Sequence, residues 1–172
     1  MRYSKNEVRD KIAIIEFLKA EKFGTLGLVD EDKPYAVPVN FLYLDDKIYF
    51  HSARAGRKWD IIHKNANAFF VVARWNNTIP AQTACDIGTS YFSVMLEGTV
   101  RIVEDKVEKD TAFNMFIKKY ASDAEHVSVQ LMDNYRSSLN TGMALFAIAI
   151  KTMSAKANPP TQKNYYSGKV KN

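Results

Sequence analysis

Between Phe23 and His51 the chain alternates large apolar residues with smaller or polar ones in three successive runs, and the connections between the runs are very short. Asp30-Glu31-Asp32-Lys33 separates Phe23–Val29 from Tyr35–Tyr43, and Asp45-Asp46 separates Tyr43 from Lys47–His51. A period of two marks a strand with one buried face. Connections this short cannot cross over a sheet, so neighbouring runs must pair antiparallel. Pro38 lies inside the second run and brings no amide hydrogen, which places that strand at an edge or at a bulge.

The rest of the chain fits the same plan. Ala68–Trp75 reads as a buried strand, Tyr91–Val103 as a long strand bent at Gly98, and Met143–Ile150 as an apolar last strand. Apolar residues at three- and four-residue spacing predict helices over Lys5–Ala20 and Lys106–Tyr120, the latter through Val107, Phe113, Phe116 and Ile117. A short helix is expected over Arg57–Lys64, a loop over Asn76–Gly88, and a helix over Glu125–Leu139. There is no βαβ rhythm, no GxGxxG and no Walker loop, which argues against Rossmann and P-loop folds. The expectation is a mainly β, α+β chain: a six-stranded antiparallel barrel, closed or partly closed, with flanking helices.

Charge is unevenly spread. The formal net charge is +5, but residues 151–172 hold five lysines and no acid, leaving 19 basic and 19 acidic side chains in residues 1–150. A folded body near neutrality does not suit nucleic acid, which selects a basic face on the domain itself. The expected organisation is one domain over 1–156 and a basic, flexible tail over 157–172. No apolar run approaches the ~20 residues of a membrane helix, and the single cysteine, Cys85, fits a reducing compartment. A cytoplasmic protein is expected.

Three constellations are able to carry chemistry. His51-Ser52-x-Arg54-x-Gly56-Arg57-Lys58 gathers cationic and hydroxyl groups at the entry to a helix. A phosphate monoester needs such charge and donors, and helix N-terminal amides add to the field. The alternative is a solvated basic turn. Val37-Pro38-Val39-Asn40 is an edge strand whose free backbone groups could meet a planar heterocycle, with Asn40 adding a donor and an acceptor. The alternative is an ordinary edge blunted by proline. Tyr91 and Ser93, two apart, share one strand face and offer hydroxyls to a ligand, to a second subunit, or only to water. The three histidines, His51, His63 and His126, form no metal spacing.

Together these segments resemble the FMN-binding split-barrel proteins related to pyridoxamine 5′-phosphate oxidase, and within them the nitroimidazole-resistance branch. The pattern PxxVPVNF, YFHSAxxGxK and YxSVxxxG occurs in order as Pro34–Phe41, Tyr49–Lys58 and Tyr91–Gly98. The resemblance implies a six-stranded split barrel and a homodimer with two FMN sites at the subunit interface. It implies that Val37, Pro38, Val39 and Asn40 line the flavin ring, that His51 and Ser52 sit beside ring and ribityl-phosphate, and that Arg57 and Lys58 hold the phosphate. It implies site roles for Tyr91 and Ser93, contributed from the second subunit. Where that branch carries a Gly-Lys pair near its last strand, this chain has Ser154-Ala155-Lys156.

The expected function is that of an FMN-dependent oxidoreductase passing electrons from a reduced nicotinamide or similar donor to a small organic acceptor, with His51 as the group nearest to a catalytic role. A pyridoxamine 5′-phosphate oxidase proper must hold a second phosphate on its substrate, and only one phosphate cluster stands outside the tail. The alternative is a non-catalytic flavin- or haem-binding protein, a sensor or store on the same barrel.

Overall fold

The computed structural model describes residues 4–81, 83–122 and 140–159 of the chain. Asp10 sets where the first helix begins. Its carboxylate accepts from the amides of Ile12 at 2.9 Å and Ala13 at 3.3 Å, so α1 spans Lys11–Ala20. The spacing that suggested a start at Lys5 is only partly helical: Ser4–Asn6 forms one 3₁₀ turn. The next residues are drawn to the sheet, where the Val8 amide donates to the Ala155 carbonyl at 3.0 Å.

Among the described residues, seven strands form one antiparallel sheet: β1 (Phe23–Asp30), β2 (Lys33–Asn40), β3 (Leu42–Leu44), β4 (Lys47–Ala53), β5 (Asn67–Ile79), β6 (Gly88–Ile102) and β7 (Met143–Asn158). Their order is β2-β1-β5-β6-β7-β4-β3. The run Tyr35–Tyr43 thus divides at Phe41 into β2 and β3, which end at opposite edges of the sheet. The sheet curls until β2 runs beside β4 without a ladder between them. This is a split barrel with helices outside it.

β7 is longer than its apolar half. It pairs with β4 over Met143–Ala149 and with β6 over Phe146–Asn158, so the strand runs two residues beyond the expected end of the domain. The alternation in its second half is hidden by a register shift: Glu97 faces Thr152 while Gly98 faces Ile150, leaving Lys151 as an extra residue. Here the chains approach so closely that a Cβ on Gly98 would lie 2.3 Å from the Ala149 carbonyl oxygen. β5 likewise outruns its apolar core and forms with β6 a two-stranded arm through Ile79 and Gly88, in place of part of the expected loop.

The barrel interior is filled by fully buried Phe41, Phe50, Phe70 and Phe146, with Phe50 and Phe146 stacked at 5.0 Å. Each such side chain contributes roughly 1.5–3 kcal/mol by leaving water. α1 closes one side, with Phe17 stacked on Phe92 at 4.4 Å. α2 (Arg57–Lys64) buries Ile61 and Ile62. α3 (Lys106–Tyr120) lays Phe113 and Phe116 on the outer side of β3, β4 and β7. Val107, expected on that apolar face, is instead 74% exposed. The expected helix over Glu125–Leu139 lies outside the described residues. No helix among the described residues is long and apolar enough to cross a membrane.

Candidate functional site

The split between β2 and β4 brings together the two halves of the Pro34–Lys58 segment. β4 leads through Arg54, Ala55 and Gly56 straight into α2. Gly56 holds φ 92° and ψ 173° with no heavy atom within 4 Å of the place a Cβ would take. Only glycine adopts this backbone readily. As N-cap it offers no side-chain acceptor to the first amides of α2, so these remain available to an anion.

Lys58 lies against β4, beside Phe50 and His51. It is half-buried, with Nζ 5.9 Å from the centre of the Phe50 ring, and burial holds its pKa below the usual lysine value. His51 stays open to solvent on one side while its ring meets Phe116 edge-on at 5.6 Å. Burial first, and then the positive charge of Lys58, lower its pKa. The imidazole is therefore biased to its neutral form, beside a lysine whose charge would be stabilised by an incoming anion. Ser52 is half-buried on the next position of β4.

Arg57 does not join them. Its Nε lies 3.8 Å from the Asp30 carboxylate and its guanidinium rests 4.9 Å over the Tyr35 ring. Lys64 shares the other Asp30 oxygen at 3.9 Å. Successive residues of a helix point about 100° apart, which sends Lys58 to β4 and Arg57 to the β1–β2 hairpin. Asp30 and Tyr35 escape a reading of the sequence because they look like a polar turn and a routine strand residue.

On β2 the side chains alternate. Val39 is buried and Val37 half-buried, both packed into the barrel core, while Pro38 is exposed and Asn40 half-buried on the outer face. The edge thus presents Pro38 and Asn40 as side chains and Val37 and Val39 as backbone. The edge ends at a fixed corner. The Phe41 amide donates to the Tyr120 hydroxyl at 3.0 Å, and the Phe41 carbonyl accepts from Lys119 at 3.1 Å. No spacing in the sequence links α3 to this corner.

Tyr91 and Ser93 lie elsewhere. Ser93 faces Lys156 on β7 and Tyr91 faces Asn158, whereas His51 faces Leu145. Leu145 and Lys156 are separated by about 35 Å of strand at ~3.3 Å per residue. Within one chain, then, the Tyr91–Ser93 pair is not brought to the seam. The Lys156 side chain stays half-buried beside it, next to Ala155, which is buried where Val8 bonds to it. Cys85, the single cysteine of the chain, is free and exposed in a 3₁₀ turn of the β5–β6 connection. Among the described residues no group of His, Cys, Asp and Glu could hold a metal ion.

A family model described as pyridoxamine 5′-phosphate oxidase matches residues 10–157. The chain belongs to the pyridoxamine 5′-phosphate oxidase family. The match spans all seven strands but the last residue of β7. Among solved structures, the chain is 23% identical to a candidate 5-nitroimidazole antibiotic resistance protein from Bacteroides thetaiotaomicron, over 87% of this chain and 85% of that one, with a TM-score of 0.69. It is 20% identical to the flavocytochrome Anf3 from Azotobacter vinelandii, over 94% and 74%, with a TM-score of 0.75. It is 18% identical to an FAD- and haem-binding protein from Mycobacterium smegmatis, over 91% and 76%, with a TM-score of 0.72. At these identities the likeness is one of fold. The chain matches none of the curated proteins.

Proposed function

We propose that this chain binds FMN at the β2–β4 seam and acts as an FMN-dependent oxidoreductase, passing electrons from a reduced nicotinamide or similar donor to a small organic acceptor of the nitroimidazole type. The observation that carries this reading is an uncapped helix start with Lys58 against β4, and, beside β4 without a ladder, a free β2 edge ending in Asn40. A phosphate with a flat, polar-edged ring attached needs both. Family membership and the flavin named for two of the structural neighbours support it.

Lys58 and the α2 amides hold the phosphate, and Ser52 lends its hydroxyl. The β2 edge, with Pro38 and Asn40 outward, borders the ring. Bound flavin supplies the hydride and electron chemistry, and the protein positions and tunes it. His51, neutral at rest, is placed to take or give a proton beside the ring. Two copies associate as a homodimer, so that Tyr91 and Ser93 of one complete the seam of the other. The exposed, free Cys85 suits a reducing compartment, and we place the protein in the cytoplasm.

Purified protein, loaded with FMN and freed of excess, should show flavin absorption in the blue that bleaches on anaerobic addition of NADPH or NADH and returns with a nitroimidazole. Protein that cannot be loaded with FMN overturns the binding assignment; flavin that no reductant bleaches overturns the enzymatic one. A second reading is haem on the same barrel, favoured by the neighbours described as a flavocytochrome and as an FAD- and haem-binding protein. His51 is then the axial ligand, since its ring is the accessible imidazole at the seam. A Soret band that disappears in His51→Ala would establish it.

A further inference from the structure

Two adjacent basic residues follow Gly56, yet only one of them is free to serve the seam. Arg57 is held by two contacts toward the β1–β2 hairpin: the Asp30 carboxylate at 3.8 Å, whose other oxygen carries Lys64 at 3.9 Å, and the face of the Tyr35 ring at 4.9 Å. Asp30 is the less exposed partner, its side chain 28% accessible against 52% for Arg57. The acid is therefore the fixed member and the arginine the mobile one.

We infer that Asp30 is a positioning residue that holds Arg57 off the phosphate of the bound ligand and so sets how tightly the seam grips phosphorylated flavin. The inference rests on the proposed FMN site. Both ion pairs are long and solvent-exposed, in the range where a pair contributes little. A phosphate, which accepts bidentate bonds from a guanidinium, is the stronger partner for Arg57. Asp30 thus competes with the ligand for one cation, and Tyr35 keeps that cation within reach through its ring. The site then presents one committed charge, Lys58, and one withheld charge, Arg57. Such an arrangement leaves FMN exchangeable, where two committed cations would trap it.

The test compares FMN with riboflavin, which has the same ring and no phosphate, by fluorescence titration of the full chain. Asp30→Asn is expected to tighten FMN roughly two- to fivefold and to leave riboflavin unchanged. In an Arg57→Ala background the gain from Asp30→Asn should shrink to nearly nothing, and Arg57→Ala alone should cost little. Should Asp30→Asn perturb the β1–β2 turn and fail to fold, Asp30→Ser keeps a short polar residue at the turn, removes the carboxylate and reads out the same release. FMN binding unchanged or weakened in folded Asp30→Asn overturns the inference, as does a large loss in Arg57→Ala alone, which would mean that Arg57 already grips the phosphate. An equal gain for riboflavin overturns it too, because the effect would then be structural. Lys58→Ala separates this inference from the reading beneath it. If wild type binds FMN and Lys58→Ala does not, only the role of Asp30 is at issue; if neither binds, the FMN site itself falls.

Discussion

The Lys119 ammonium stands 4.3 Å over the ring of Phe41 and donates to the carbonyl of that same residue at 3.1 Å. Phe41 is fully buried at the corner where β2 ends and β3 begins. At such a corner the ladder breaks, and the backbone groups it would have satisfied need other partners. The last turn of α3 supplies them: Lys119 takes the carbonyl and the Tyr120 hydroxyl takes the amide. α3 is thereby the strut that holds the β2 edge where the seam needs it.

Tyr120→Phe tests the strut. The substitution keeps the ring, which stacks on Phe116 at 5.9 Å, and removes the acceptor for the Phe41 amide. An unmet polar group in a half-buried site costs about 1–3 kcal/mol. The midpoint of urea denaturation should fall accordingly with an unchanged slope. An unchanged midpoint would show that water replaces the hydroxyl without loss.

Lys119 also makes stability depend on pH. Burial lowers its pKa from 10.5 to about 8. The protonated form is thus disfavoured in the folded chain, and between about pH 8 and 10.5 the unfolded chain holds the extra proton. Stability should rise with pH across the lower part of this window, and the rise should shrink in Lys119→Gln, the remainder belonging to Lys58, whose pKa burial also lowers. Tyr43, raised to about 12 by burial and by its hydrogen bond to Asp46, works in the opposite sense above about pH 10. The measurement therefore belongs between pH 7.5 and 9.5, by denaturation at fixed ionic strength. A fall in wild-type stability over that span would contradict the assignment.

Gly56→Ala should act on both fold and site. Space is open around the missing Cβ, so the cost is conformational, about 1–3 kcal/mol for a backbone region that is nearly glycine-only. Relief of that strain turns the first amides of α2 away from the seam. FMN affinity should fall together with thermal stability, whereas Gly98→Ala, which collides with the Ala149 carbonyl, should lower stability with affinity per folded molecule preserved. Equal losses of affinity in both variants would argue that Gly56 has no special part in the site.

These relationships divide sharply into those the sequence shows and those it hides. Short polar turns and period-two alternation are local, and they announce the antiparallel order of β1 to β4 and the bounds of α2 and α3. The second half of β7 was not legible, because the extra residue at Lys151 breaks its alternation and polar side chains face outward there. The division at Phe41 was hidden for another reason: the aromatic and valine positions of Tyr35–Tyr43 keep a period of two through a corner that is fixed by α3, far away in sequence, and only the consecutive apolar residues Phe41, Leu42 and Tyr43 mark the break. In the site, Gly56 and Lys58 stand out because glycine and charge at a helix start have local meaning. The diversion of Arg57 does not, since it depends on Asp30 and Tyr35 being brought across by the hairpin.

The distance between the seam and the Tyr91–Ser93 pair yields the sharpest test of assembly. If a partner subunit supplies that pair, each of the two sites contains Lys58 from one chain and Tyr91 from the other. Lys58→Ala and Tyr91→Ala homodimers should each bind FMN poorly. A mixed dimer places both defects in one site and leaves its second site intact. Co-expression in equal amounts makes half of the dimers mixed, so about a quarter of all sites should recover wild-type affinity. Titration of the mixture should show this high-affinity fraction, and size-exclusion chromatography should show a dimer throughout. Absence of any recovered fraction in a dimeric mixture would place the two residues in separate functions, and a monomeric protein with full FMN affinity would remove the partner from the site.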